Sequence, residues 1–450
     1  MKVPAMERPM TTQNDPSLPP TFRRLAWSNL VAQSAEQIAL AAAPIVAVLL
    51  LGAGAAETGL LQTALTLPFL VFAIPAGLLA DRMSRRSLMA CAEALRAAAL
   101  LGILALIRLD LLTSPLLALL GFAAVSGTVA YSVAAPALVP SLVTPDALPA
   151  ANARIELART VAFAAGPALG GAVVGWTGAA PAFGLAAILS MAAALLLAGL
   201  SEPARQPSPR RRALQEIKEG AAFVFRHDLL RPVFVTQFVF NVAFFVILAV
   251  FVPHAVHHLG LAASGIGVTL ALFGVGMVIG ALLAARILRA LPFGIVVAIG
   301  PVTGLAAAAV MALTVRIPSP LLAGLSFFLL GLGPILWVIS TTTLRQTVTP
   351  PQLLGRVSAI NVMTYGARPV GALIGALIGG LSGTEACLVA AVFGFAVQAV
   401  VILTSPVVRL ARQPAMRDDP PTGHDRDAAR IAPEITPPAR SGVAARCCAS

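Results

Sequence analysis

The sequence predicts an all-α membrane protein of twelve transmembrane helices arranged as two pseudo-symmetric six-helix bundles, and three observations carry that prediction. The chain of 450 residues is 58% hydrophobic and 11% charged, with a mean hydropathy of +0.89, whereas water-soluble domains are about 25% charged. Its apolar residues form continuous blocks near the ~20 residues that a spanning helix needs, not the alternation of a membrane barrel. Polar residues at the block starts recur at a nearly constant spacing, so the second half of the chain echoes the first.

The blocks fall at 22–52, 57–80, 87–108, 112–140, 150–175, 179–200, 229–252, 262–285, 291–315, 319–346, 355–380 and 384–407. The widest polar break, 201–228, divides them six and six and contains Arg205, Arg210, Arg211, Arg212, Lys218 and Arg226, with an amphipathic helix expected near 214–225. The expected organisation is therefore an N-terminal tail (1–21), a first bundle (22–200), a linker (201–228), a second bundle (229–407) and a Pro-, Asp- and Arg-rich tail (408–450) that reads as disordered. Cytoplasmic loops of membrane proteins carry an excess of Lys and Arg. With both termini cytoplasmic, the inside loops hold Arg82, Arg85, Arg86, Arg154, the basic linker, Arg286, Arg289, Arg345 and Arg356, against Arg108 and Arg316 outside. A multi-pass protein of the cell membrane, with tail and linker inside, follows.

The repeat is legible in three places. Arg23, Asn29 and Gln33 correspond to Arg231, Gln237 and Asn241 at an offset of 208. Val143-Thr144-Pro145 corresponds to Val348-Thr349-Pro350 at 205, and Asn152, Glu156 and Arg159 to Asn361, Tyr365 and Arg368 at 209. Each echo joins helix n to helix n+6, the mark of a duplicated unit.

The net charge of +12 has its cause in this topology, so nucleic acid is not an expected partner. Cys91, Cys387, Cys447 and Cys448 match no disulfide framework and no metal-ligand spacing. The polar, proline-rich start and the long first block do not read as a cleavable signal peptide. His254, His257 and His258 stand at i, i+3, i+4 in an outer loop, and an ordinary loop is preferred over a metal site; no cofactor is expected. The glycine runs at Gly274, Gly276, Gly280 and at Gly371, Gly375, Gly379 lie inside apolar spans with no preceding strand and read as helix-packing stripes.

Between helices 2 and 3 the chain reads Gly77-Leu-Leu-Ala-Asp81-Arg82-Met-Ser-Arg85-Arg86. This resembles the signature loop of the major facilitator superfamily, and the resemblance extends over residues 22–407. It implies secondary transport by a two-bundle fold, with Asp81 latching the inside against the start of helix 11 near Arg356. The loop after helix 8 has Ala284 where the acid would stand.

Helix 5 carries Gly166-Pro167-Ala168-Leu169-Gly170-Gly171, similar to the antiporter motif of exporters in that superfamily, although Ala162 replaces a glycine of the fuller motif. Proline bends the helix and the glycines allow close contact. The style around Ala151-Asn152-Ala153 and Pro350 to Val357 resembles the branch of enterobactin-type siderophore exporters and macrolide efflux proteins.

In helix 1, Asn29, Gln33, Glu36 and Gln37 share one face, and a polar face in an apolar helix is expected to line a cavity. Glu36 is mid-span, where ionised side chains are expensive and functional by default, so it is the leading proton-binding candidate, followed by Glu93 and Glu156. Glu93 with Arg96, and Glu156 with Arg159, stand at i, i+3 and can pair locally. In helix 7 the positions of Glu36 and Gln37 are taken by Phe244 and Phe245. Together with Gln237, Asn241, Asn361, Tyr365 and Arg368, these aromatics are the cavity candidates of the second half. An acidic wall facing an aromatic wall suits an amphipathic cargo, cations included.

The expected function is proton-coupled export of a small amphipathic molecule by a monomer that exchanges with protons and membrane lipid. An uptake permease of the same fold is the alternative. A membrane receptor or enzyme is remote, because no H-E-x-x-H, G-x-S-x-G or phosphate-binding loop occurs.

Overall fold

In the computed structural model, residues 19–72, 75–76, 79, 83–144, 147–201, 213–350 and 353–414 are described, and every regular element among them is helical. The first half comprises α1 (Pro20–Leu49), α2 (Ala55–Val71), α3 (Arg85–Arg108), α4 (Ser114–Leu138), α5 (Leu148–Thr177) and α6 (Ala179–Ala198). A linker helix, Ala213–Arg226, precedes α7 (Leu230–His257), α8 (Ala263–Ala290), α9 (Phe293–Leu313) and α10 (Pro320–Val348). Span α11 is Leu354–Met363, a 3₁₀ turn Thr364–Gly366 and residues 367–382, while α12 is 384–403. The break between them is Gly383, whose φ of 83° lies outside the helical region.

Ten described helices are long and apolar enough to cross a membrane. That number takes Leu354–Leu403 as one piece and omits α2, whose continuous described helix has 17 residues. Dividing the last piece at Gly383 and including α2 gives twelve spans.

The duplication is written into the turns. Gly52 and Gly260, which follow α1 and α7, have φ of 67° and 64°, and Gly178 and Gly383, which separate α5 from α6 and α11 from α12, have φ of 91° and 83°. Left-handed backbone at equivalent turns of both halves selects glycine twice at the same spacing as the sequence echoes.

Helix association in lipid depends on close packing rather than on a hydrophobic drive, and the glycines show where it happens. A Cβ on Gly166 or Gly170 would stand 2.4 Å from Gln37 Cβ or 2.9 Å from the Ile38 carbonyl oxygen, so this face of α5 lies directly on α1. The repeat-related Gly371 and Gly375 meet Val242 and Ala249 of α7 at 2.2 and 2.7 Å. Gly171 faces the other way, with a built Cβ 2.6 Å from the Ala263 carbonyl oxygen and from Gly267 Cα in α8. The repeat turns this contact into its counterpart, with Ala376 of α11 in the place of Gly171 and Gly59 of α2 in the place of Gly267: a Cβ on Gly59 would stand 2.5 Å from Ala376 Cα. The two halves thus meet along two related seams, α5 on α8 and α2 on α11.

One apolar core spans the halves. It joins Ile45 and Val48 at the end of α1 to Val250, Phe251, Ile266, Met311 and Phe327 of the second bundle. The remaining large clusters stay within a half, one around Phe22, Met89 and Leu197 and another around Ile38, Leu100 and Phe183. The joining core lies at the end of α1 remote from Arg85, Arg86 and Arg356, so the halves are pinned together away from their basic end.

Some expected boundaries move. α7 runs to His257, so His254 sits inside a helix rather than in an outer loop, and it is buried with Nε2 2.8 Å from Thr314 Oγ1. His258 Nε2 is 3.2 Å from the Val315 carbonyl oxygen. These histidines tie α7 to the end of α9, and among the described residues no group of three or more His, Cys, Asp or Glu is placed to hold a metal ion.

Candidate functional site

Between the halves lies a cavity of about 290 Å³. Its first wall is built from α1 and α2, through Glu36, Gln37, Gln62, Thr66 and Phe69, and α5 adds Phe163 and Pro167. The opposite wall is Phe240, Asn241, Phe244 and Phe245 of α7, Phe273 of α8 and Arg368 of α11. The rings of Phe240 and Phe244 are nearly parallel, 8° apart at 5.6 Å, and Phe273 lies 5.5 Å from Phe244, which makes this wall aromatic.

Glu36 belongs to a charged cluster reaching back from the cavity. Arg96 of α3 donates from Nη1 to both Glu93 carboxylate oxygens, at 2.7 and 2.9 Å, and to the Ala32 carbonyl at 3.2 Å. Its Nη2 donates to Thr128 Oγ1 of α4 at 2.6 Å and stands 3.8 Å from Glu36 Oε2. The Glu93 side chain is completely enclosed and that of Glu36 is 13% exposed. Glu93 therefore neutralises Arg96 at hydrogen-bond distance, whereas Glu36 receives attraction without a hydrogen bond.

Arg368 is the cation of the opposite half. Its Nε donates to Asn241 Oδ1 at 3.2 Å, and its guanidinium carbon lies over Tyr365, Phe69 and Phe245 at 4.1, 5.1 and 5.5 Å. Ring faces attract a cation and fix its plane. Asn241 is oriented in turn by donating from Nδ2 to the Gln237 carbonyl at 2.9 Å. A second cavity of about 160 Å³ shares Phe240, Asn241, Phe273 and Arg368 with the first and extends to Gln237 and Tyr365.

Several expected site residues lie elsewhere. Asn29 is buried against α5, donating to the Ile155 carbonyl at 3.2 Å, because the polar face of α1 rotates from the cavity into a helix contact toward its start. Gln33 and Asn361 line neither cavity. Glu93 is behind the cavity wall. Glu156 pairs with Arg159 at 2.5 Å with a side chain 56% exposed, and it too lies off both linings.

At the basic end, Arg356 pairs with Glu219 of the linker helix, and the backbone of Arg356 packs on Gly220. The expected Asp81 latch cannot be placed beside this pair, since Gly77, Asp81 and Arg82 lie outside the described residues. Arg86 donates to the Leu200 carbonyl at 2.8 Å, fastening α3 to the chain just after α6, and Arg85 opens the first turn of α3.

Sequence reasoning missed two features. Gln62 and Thr66 form an i, i+4 polar pair on the otherwise apolar α2, a signal of the kind that singled out helix 1. The approach of Arg96 to Glu36 joins two helices and has no local signature.

The family model described as Major Facilitator Superfamily matches residues 25–368. The chain belongs to this superfamily. It is thus a multi-pass membrane protein in a family of secondary transporters rather than enzymes. An uncharacterized MFS-type transporter, y4rN, of Sinorhizobium fredii (strain NBRC 101917 / NGR234) is 29% identical over 252 residues, which are 54% of this chain and 60% of that protein. Among solved structures, the POT family transporter PepTSo aligns with a TM-score of 0.70 at 11% identity, covering 86% of this chain and 98% of its own. The nucleoside transporter NupG aligns at 0.68 and 14% identity, covering 86% and 98%. A bacterial homolog to the human lysosomal transporter Spinster, in an inward-facing and unoccupied conformation, aligns at 0.67 and 14% identity, covering 87% and 97%. At these identities the likeness is one of fold.

Proposed function

We propose that the protein exports a small amphipathic molecule from the cell in exchange for protons, by alternating access, as a monomer with both termini cytoplasmic. The observation that carries the reading is the position of Glu36. Among the described residues it is the acid that lines the central cavity, while its neighbour Glu93 is occupied by two hydrogen bonds from Arg96.

With both acids ionised, the Glu36–Arg96–Glu93 cluster carries one net negative charge, and one proton on Glu36 cancels it. A buried ion whose cation is already hydrogen-bonded to another acid is only partly compensated, so Glu36 gains most from binding either a proton or a cationic group of the cargo. Competition between the two is the elementary requirement of exchange.

Movement is supported by the seams. Close α5–α8 and α2–α11 contacts with an apolar core at the far end leave the basic end of the cavity as the access route. Sliding the same two seams opens the opposite side. Export rather than uptake is supported by the helix 5 motif, although Gly166, Gly170 and Gly171 act here as packing faces toward α1 and α8. The test is accumulation of a panel of amphipathic dyes and metabolites by inside-out vesicles with an acid interior. Uptake of one panel compound that collapses with a protonophore is expected. Loss of that compound from preloaded vesicles under the same gradient contradicts export.

A further inference from the structure

The central cavity holds two opposite charges contributed by different halves, Glu36 of α1 and Arg368 of α11, and no ion pair joins them. Neither is fully compensated: Glu36 shares Arg96, 3.8 Å away, with Glu93, and Arg368 has no acid beside it among the described residues. The cation near Glu36 is already held by Glu93. Arg368 has, among the described residues, no carboxylate within ion-pair distance; its polar partner is the neutral Asn241 oxygen, and three aromatic faces fix its plane without supplying negative charge. Asn241 engages Nε, so the two Nη groups, which form the planar fork suited to a carboxylate, donate to no described residue. Phe240, Phe244 and Phe273 line the same wall as Arg368, across the cavity from Glu36.

We propose that the cargo is a zwitterionic amphiphile, with an ammonium or similar cation at Glu36, a carboxylate or similar anion at Arg368, and an apolar body against the phenylalanine wall. This rests on the reading of the cavity as the transport site and narrows its substrate class. A lone cation would leave Arg368 uncompensated, and a lone anion would leave Glu36 so. A zwitterion neutralises both and links the two halves through one molecule. Its cationic end displaces the proton from Glu36, which keeps the exchange logic intact, while the anionic end adds selectivity that an acidic site alone lacks.

The test uses the full chain in lipid nanodiscs and three probes of one body: 2-naphthylalanine, 2-naphthylethylamine and 3-(2-naphthyl)propionate, with affinities measured calorimetrically. The amino acid is expected to bind at least about tenfold tighter than either single-charge probe, the scale of one charge-assisted hydrogen bond. Arg368→Gln is expected to erase its advantage over the amine, and Arg368→Lys to keep part of it. Glu36→Gln is expected to erase its advantage over the acid.

Equal affinities, preference for a single-charge probe, absence of binding by all three, or variants that weaken the three alike overturn the proposal. The export reading has a separate fate: selective binding without vesicle accumulation removes export and leaves the zwitterion assignment. Accumulation of a simple cation without selectivity does the reverse.

Discussion

Arg96 Nη2 stands 3.8 Å from the Glu36 carboxylate, while Nη1 of the same guanidinium is hydrogen-bonded to Glu93 at 2.7 Å. One buried cation therefore serves two acids unequally. The better-held acid is part of the scaffold, and the other faces the cavity.

Removing the shared cation is expected to be severe. Arg96→Gln leaves Glu93 enclosed with no positive partner, a change worth about 3–5 kcal/mol in comparable buried pairs. Thermal unfolding of the solubilised protein should fall markedly for Arg96→Gln and recover in large part for Arg96→Gln combined with Glu93→Gln, which removes both charges. A double variant no more stable than the single one would show that Glu93 does not depend on Arg96.

The seams give a steric prediction. A side chain at Gly171 meets α8 backbone at 2.6 Å, whereas a methyl at Gly184 of α6 meets only the Leu104 side chain at 3.7 Å. Gly171→Leu is therefore expected to force α5 from α8, at roughly the 1–3 kcal/mol of an overpacked core, and to stop transport. Gly184→Ala is expected to behave as wild type. Gly59→Leu, on the repeat-related seam, should match Gly171→Leu. Measured transport rates of inserted protein check all three, and an active Gly171→Leu would remove the seam from the mechanism.

Topology is open to a direct check. A phosphatase or fluorescent reporter fused after Arg412 is expected to report the cytoplasm, and one inserted at Pro318 between α9 and α10 the outside. The opposite pattern would invert the direction assigned to the cavity mouth.

The architecture was legible because membrane helices declare themselves one at a time. Apolar blocks mark the spans, and the recurrence of Asn29 and Gln33 as Gln237 and Asn241 marks the duplication. Glycine stripes were readable as packing faces, although which helix each face meets was not. The site was legible where it is local: Glu36 and Gln37 lie on one face of α1, Phe244 and Phe245 at the matching place in α7, and all four line the cavity. It failed where rotation or distance decides. Asn29 shares the face of Glu36 on an ideal helix and yet bonds to Ile155 of α5. The partnership of Arg96 with Glu36 and the approach of Phe69 and Phe245 to Arg368 both combine helices far apart in the chain. No periodicity encodes them.

The most direct measurement concerns Glu36 itself. Glu36→Gln keeps volume and polarity and fixes the neutral form of the side chain. In inside-out vesicles under an imposed pH gradient, with the panel compound that the wild-type protein accumulates as cargo, Glu36→Gln should be inserted and folded yet show no gradient-driven accumulation. Accumulation at the wild-type rate would contradict the account and pass the coupling role to another acid.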